Sequence, residues 1–312
     1  MTPTSVLLIA NPQSRNGADI LDLATARLGS AGIEVYPRES QSAEHVASLI
    51  EEFRNRVEML VLAGGDGTLH AALGPLVEHS LTLALIPAGT ANDFARNLNL
   101  PLDPEKALDA ILHGRTLDID LGSANDIFFC NAAHMGLGVR VTEELSADNK
   151  QSFGVLGYLR ALKEALPNSR AFRVQIEANE NRYLRRAIQI TVGNGRFYGG
   201  GNVVSEDAHL INQRLHLFGV EEDSFWRLLL RLPLLRFGKH RLSRKMFQLD
   251  SQQFMVSTRG RRTIAVHADG EPTTETPVLF RVHPGALRVV VPRDTIVGAD
   301  LDRRTARNAT ID

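Results

Sequence analysis

The 312-residue chain has a single cysteine, Cys130, so it carries no internal disulfide framework and cannot build a thiolate metal site alone. That cysteine stands in the apolar run Phe128-Phe129-Cys130, where a small buried hydrophobe is expected rather than a nucleophile. No run of 18 apolar residues occurs, which predicts no membrane-spanning helix. The opening residues lack a basic stretch followed by a long apolar one, so no secretory signal is expected and a cytoplasmic location is. Excess charge is missing too. With 35 Lys and Arg against 36 Asp and Glu, the formal charge is −1, which argues against nucleic acid as a partner. Repeats and Gly/Ser linkers are absent, the ten histidines show no metal-ligand spacing, and no Ser/His/Asp arrangement is recognisable.

What is present has the size of two domains. In the first third, short apolar runs at residues 5–10, 32–36, 59–63 and 81–86 have the texture of strands buried on both faces. Between them, residues 18–28, 43–53 and 68–77 carry apolar side chains at helical spacing. Strands alternating with helices predict an α/β domain, a parallel sheet with helices on both faces. Later runs at 170–178, 183–192, 214–220, 247–256, 263–267, 278–282 and 286–290 follow one another through turns, which predicts a β-rich sandwich-like domain. Helices are expected at 154–166 and 224–237. The expected division is residues 1–120, 121–292 and a polar tail, 293–312, that returns to the first domain or stays poorly ordered.

Three segments carry chemistry. Gly64-Gly65-Asp66-Gly67-Thr68 ends one strand and begins a helix; its glycines let the backbone approach a ligand, and a helix N-terminus favours phosphate. Asp66 is placed to help hold Mg²⁺ between phosphates; a plain tight turn with a capping residue explains the same pattern. Pro87-Ala88-Gly89-Thr90-Ala91-Asn92-Asp93-Phe94 follows the next strand and brings polar groups to the carboxyl edge of the sheet, where open α/β sheets bind ligands. His267-Ala268-Asp269-Gly270-Glu271 reads as a hairpin turn, or as the setting of a carboxylate base, Glu271, for a hydroxyl nucleophile.

In this order the three segments resemble the diacylglycerol-kinase catalytic-domain family, most closely the bacterial YegS-like lipid kinases. Asn11-Pro12-Gln13-Ser14, Asn131 with Gly136 and Gly138, Gly193-Asn194-Gly195-Arg196 and Gly199-Gly200-Gly201 match as well. The resemblance implies an ATP-dependent lipid kinase that phosphorylates a hydroxyl of a diacylglycerol- or phosphatidylglycerol-like lipid. It implies Glu271 as general base and Asp66 on Mg²⁺–ATP. It also places Asn11, Ser40, Gly64, Gly65, Gly67, Thr68, Thr90, Asn92 and Asp93 around the nucleotide.

The sequence departs from that pattern where His70-Ala71 replaces Asn-Glu, where Ser14-Arg15-Asn16 replaces Ser-Gly-Lys, and where Glu206 replaces proline. Asn212-Gln213 stands in place of the Asp-Gly of a structural magnesium site, and a neutral amide is the weaker ligand. Residues 224–247 carry +7, against −8 for the rest of the chain. With Trp226, Arg227, Arg231 and Arg236 they suit an anionic membrane surface, or a helix packed on the β-rich domain. Two further readings stand beside the lipid kinase: a soluble-substrate kinase resembling NAD kinases, and a non-catalytic lipid- or nucleotide-binding regulator.

Overall fold

The computed structural model describes residues 3–141 apart from 13, 15 and 16, then 160, 163–165, 170–223, 227, 236–238, 243, 245–259 and 263–295. The expected helices at 154–166 and 224–237 and the tail beyond residue 295 lie almost wholly outside these.

The first third alternates β1 (Ser5–Ala10), α1 (Gly17–Ser30), β2 (Glu34–Glu39), α2 (Ala43–Phe53), β3 (Met59–Gly64), α3 (Asp66–Glu78) and β4 (Thr82–Pro87). Two further helices follow, α4 (Asp93–Asn97) and α5 (Pro104–His113). The strands pair in parallel in the order β2-β1-β3-β4. Alternation along β1 separates two cores: Leu7 and Ile9 pack toward α2 and α3, Val6 and Leu8 toward α1 and α5. Local chemistry starts the helices. Ser42 caps α2 by accepting from the His45 amide, and Asp103 caps α5 by accepting from Lys106, with Pro104 at the first helical position. The edge strand β2 begins two residues later than its apolar run suggests, because Gly32 turns at φ +81°. β2 also contains Pro37, a residue a sheet tolerates best at its edge.

Next come β5 (Arg115–Ala124), β6 (Ile127–Phe129), β7 (Ala132–Gly136), β8 (Phe172–Ala178), β9 (Asn181–Ala187) and β10 (Gln189–Gly193). They are followed by β11 (Phe197–Tyr198), β12 (Asn202–Val203), β13 (Leu215–Val220), β14 (Met246–Ser251), β15 (Gln253–Thr258), β16 (Ala265–Ala268), β17 (Glu271–Glu275) and β18 (Val278–Val291). A six-stranded antiparallel sheet, β14-β13-β10-β7-β16-β17, faces the antiparallel half of a ten-stranded sheet that continues the parallel one through β18, β15, β8 and β9. The core between them holds Phe172, Ile176, Phe254 and Phe280 from one sheet and Met135, Ile190, Leu217 and Val266 from the other.

The apolar runs 183–192 and 247–256 each divide between the two sheets, β9 from β10 and β14 from β15. The runs 278–282 and 286–290 instead join into the single strand β18. Its register shifts between His283 and Leu287, with Gly285 at φ +61°.

Candidate active site

The turns after β3 and β4 meet at the carboxyl edge of the parallel sheet. A Cβ on Gly89 would lie 2.6 Å from the Gly65 Cα, so the two turns touch backbone to backbone and only glycine fits. Asn92, at φ +49°, shapes the second turn: the Gly89 amide donates to its Oδ1 (2.9 Å) and its Nδ2 donates to the Gly89 carbonyl (2.8 Å). Gly65 caps α3 without a side chain, so no side-chain cap covers the helix's first amides.

Asp66 opens α3 and reaches across to the second turn. Its Oδ1 accepts from the Phe94 amide (3.1 Å) and Asn131 Nδ2 (3.2 Å), its Oδ2 from the Asp93 amide (3.2 Å). A carboxylate offers about four acceptor positions, so one remains on Oδ2. That donor set fits a Mg²⁺ ion, which takes one or two protein carboxylates and otherwise phosphates and water.

Asp93 is buried. Its Oδ2 accepts from the Gly200 amide (2.8 Å), while Oδ1 has no protein partner. Burial pushes its pKa up to about 6; the Gly200 and Gly201 amides oppose the shift and the Asp66 charge adds to it.

Between β16 and β17, Asp269 (φ +50°) and Gly270 (φ +94°) turn the chain. The Asp269 carboxylate is fully enclosed and accepts from the amides of Cys130 (2.8 Å), Asn131 (2.8 Å) and Ala132 (3.2 Å). His70 Nδ1 lies 3.4 Å from the same carboxylate. This latch brings Glu271, itself exposed, over the first turn of α3: its Oε1 would lie 3.4 Å from a Cβ on Gly67. Asp66 and Glu271, some 200 positions apart, thus flank the same helix start.

Asn131 ties the site to α4 and, through it, to β11: its Oδ1 accepts from Asn97 Nδ2 (3.0 Å), while the Phe197 amide donates to Asn97 Oδ1 (2.8 Å). Asn194 donates to the carbonyls of Asp120 (2.8 Å) and Cys130 (3.1 Å). Cys130 is buried; desolvation, with Asp269 and Asp66 nearby, holds its thiol well above the ordinary range.

Asn11 and Ser40 lie at the same sheet edge, their amides donating to Ala63 (3.1 Å) and Ala10 (2.9 Å). Gly64 packs against Thr68, and Thr90 is exposed in the second turn. Asn212 belongs to a different cluster. Its Nδ2 donates to the Asp207 carbonyl (3.1 Å) and His216 Nε2 (2.9 Å), and its Oδ1 accepts from the Arg214 amide (3.2 Å). A neutral side chain engaged at both ends does not fit a structural cation. Of the basic stretch, Arg227 is exposed, with Asp223 3.4 Å away, and Arg236 donates to the Gly200 carbonyl (3.0 Å). Trp226 and Arg231 lie outside the described residues. Among the described residues, the one cluster of three potential metal ligands is Glu51, Glu78 and His79, at the other end of α3.

Sequence reasoning missed the role of Asp269. The Asp-Gly pair signalled its turn correctly, but the three amides it satisfies come from a segment remote in sequence.

Two family descriptions match end to end: the diacylglycerol kinase catalytic domain over residues 5–124 and the YegS C-terminal NAD kinase beta sandwich-like domain over residues 123–291. The chain belongs to this family. Similar proteins include a "probable lipid kinase YegS" of Salmonella arizonae, 29% identical over 297 residues, covering 92% of this chain and 96% of the relative. A "probable lipid kinase YegS-like" of Klebsiella pneumoniae is 29% identical over 294 residues, with the same coverage. A crystal structure of a Bacillus anthracis diacylglycerol kinase shares the fold at TM-score 0.74 and 21% identity, over 93% of this chain and 98% of that one. The YegS-like family is one of kinases, for which ATP is the expected co-substrate together with a divalent metal. No helix among the described residues is long and apolar enough to cross a membrane.

Proposed function

We propose that the chain is an ATP-dependent lipid kinase acting at a membrane surface, with Glu271 as general base and Asp66 as the carboxylate that helps hold Mg²⁺–ATP. The observation that carries this reading is the placement of Glu271 over the uncapped first turn of α3, beside Asp66. The amides and positive dipole end of α3 suit the phosphates, and the touching glycines let them approach the backbone. Mg²⁺, when bound, would neutralise phosphate charge and draw electrons from the transferring group.

The acceptor hydroxyl oxygen forms a bond to the γ-phosphorus as the bond from that phosphorus to the β–γ bridging oxygen breaks. ADP leaves with the electron pair, and the hydroxyl proton passes to a Glu271 carboxylate oxygen. Asp269 positions the base: its enclosed carboxylate fixes the turn from which Glu271 projects.

The test is transfer from γ-labelled ATP into vesicles holding a panel of hydroxyl-bearing lipids. Glu271→Gln is expected to lower kcat by about 10²–10⁴-fold with ATP affinity retained. A glutamine variant that turns over like the parent removes Glu271 from the reaction. Labelling of soluble alcohols alone would transfer the assignment to a soluble-substrate kinase, and ATP binding without any transfer would favour a regulator.

A further inference from the structure

The antiparallel half of the ten-stranded sheet turns an arginine-rich face away from the core. Along β8, Val174 and Ile176 enter the core between the sheets, so Arg173 and Glu177 point outward. The same alternation turns Met255 outward on β15, Arg281 on β18, and Arg182, Leu184 and Arg186 on β9. Register then lines up like charges. Arg173 stands directly opposite Arg186, and Arg259, just past β15, donates its amide to the Arg173 carbonyl. All three side chains are exposed.

Like charges opposite one another weaken a sheet, and little here relieves them. Glu222 pairs with Arg186 (2.7 Å) and Glu177 with Arg182 (2.9 Å), whereas Arg173, Arg259 and Arg281 have no ion pair among the described residues. These five arginines share their side of the four strands with one acid, Glu177, on a chain whose formal charge is −1. Among them Leu184 is 49% and Met255 37% exposed. Guanidinium groups clasp phosphate oxygens, and aliphatic side chains beside them lose water by entering the acyl boundary of a bilayer. A nucleic acid backbone would satisfy the arginines and leave both aliphatic side chains in water.

The face adjoins the candidate site. On β5, Ile119 and Leu121 pack toward α2 and α3, and Ser123, two residues on, stands opposite Arg281. Opposite Ser123 on its other side is Phe128 of β6. Cys130 and Asn131 follow at once and hold Asp269, and with it the turn of Glu271.

We propose that this face docks on an anionic lipid bilayer, its arginines on headgroup phosphates and Leu184 and Met255 at the acyl boundary, with the candidate site at its β6 edge. The proposal rests on the lipid-kinase reading above, which supplies the membrane.

Binding is read by cosedimentation with vesicles of phosphatidylserine and phosphatidylcholine in equal parts, without ATP or acceptor. The parent should bind these at least about tenfold more tightly than pure phosphatidylcholine, a margin that shrinks in high salt. Arg173→Gln combined with Arg281→Gln is expected to weaken binding by about tenfold or more, and Leu184→Asn by about threefold or more. The same pair of changes in the basic stretch, Arg227→Gln with Arg231→Gln, should cost less. Face variants that bind like the parent, or a greater loss from the stretch pair, overturn the proposal. Should the face pair not fold, Gln253→Glu puts an acid opposite Arg281 and is expected to weaken binding about fivefold; unchanged binding overturns the proposal equally. A parent that ignores these vesicles also overturns it, and face variants that then release single-stranded RNA or break a dimer would give the face to nucleic acid or to a second copy. Phosphate transfer is measured separately: its absence with every lipid would bring down the lipid-kinase reading, whereas vesicle binding reports on the face alone.

Discussion

Asp269 shows how one side chain organises a site without reacting. Three amides converge on its enclosed carboxylate, and the candidate base, Glu271, stands two residues further along the same turn. His134, cross-strand from His267, behaves differently. Desolvation pushes its pKa down to about 4; nearby Asp269 opposes that shift and His267 adds to it. A histidine whose pKa is lower folded than unfolded binds fewer protons in the native state. Its contribution is therefore fully present above the unfolded pKa near 6.5 and is lost as pH falls toward 4. The loss amounts to about 3 kcal/mol at about 1.36 kcal/mol per pH unit. Denaturant titrations between pH 4 and 7 should show His134→Gln flatter than the parent by about that amount. Parallel curves would show that the ring titrates normally.

At the scale of elements, two strand-to-helix turns are pressed together until only glycine fits. Gly89→Ala must move the Gly65 backbone, since the added carbon would sit 2.6 Å from that Cα. We expect a stability loss of about 1–3 kcal/mol from overpacking, with ATP affinity falling as the turns part. Thermal melts and calorimetric ATP titrations check both. An alanine variant that binds ATP like the parent would separate the glycine contact from nucleotide binding.

The whole molecule is joined through β18. This strand meets β4 at Val289, runs along β5 and pairs with β15. Its Leu287 and Val289 enter the core under α2 and α3, Val290 the one under α1 and α5, and Phe280 the core between the sheets. Loosening any one of these cores loads the same strand, so the chain should unfold as one unit. Scanning calorimetry is expected to give a single transition with equal calorimetric and van't Hoff enthalpies. Two resolved transitions would mean that β18 does not couple the halves.

Much of this was legible in the sequence because it is local. Apolar runs buried on both faces marked β1, β3 and β4, helical spacing marked α2 with its bounds intact, and the glycine turns marked where β3 and β4 give way to helices. Other features had no local signal. The run 183–192 reads as one strand, yet it changes sheets at Ile188, whose amide donates to the Val220 carbonyl. The runs around residue 284 read as two strands, yet they are one, because a bulge continues the pairing with β5. The chemistry divides the same way. By itself the sequence determined which groups exist, Asp66 after two glycines and Glu271 after an Asp-Gly turn, since turn and helix-start preferences act over a few residues. Only the tertiary structure decided that these two carboxylates face one helix end, because the contacts that bring them together, Asp269 on residues 130–132 and Asn131 on Asp66, join segments far apart along the chain.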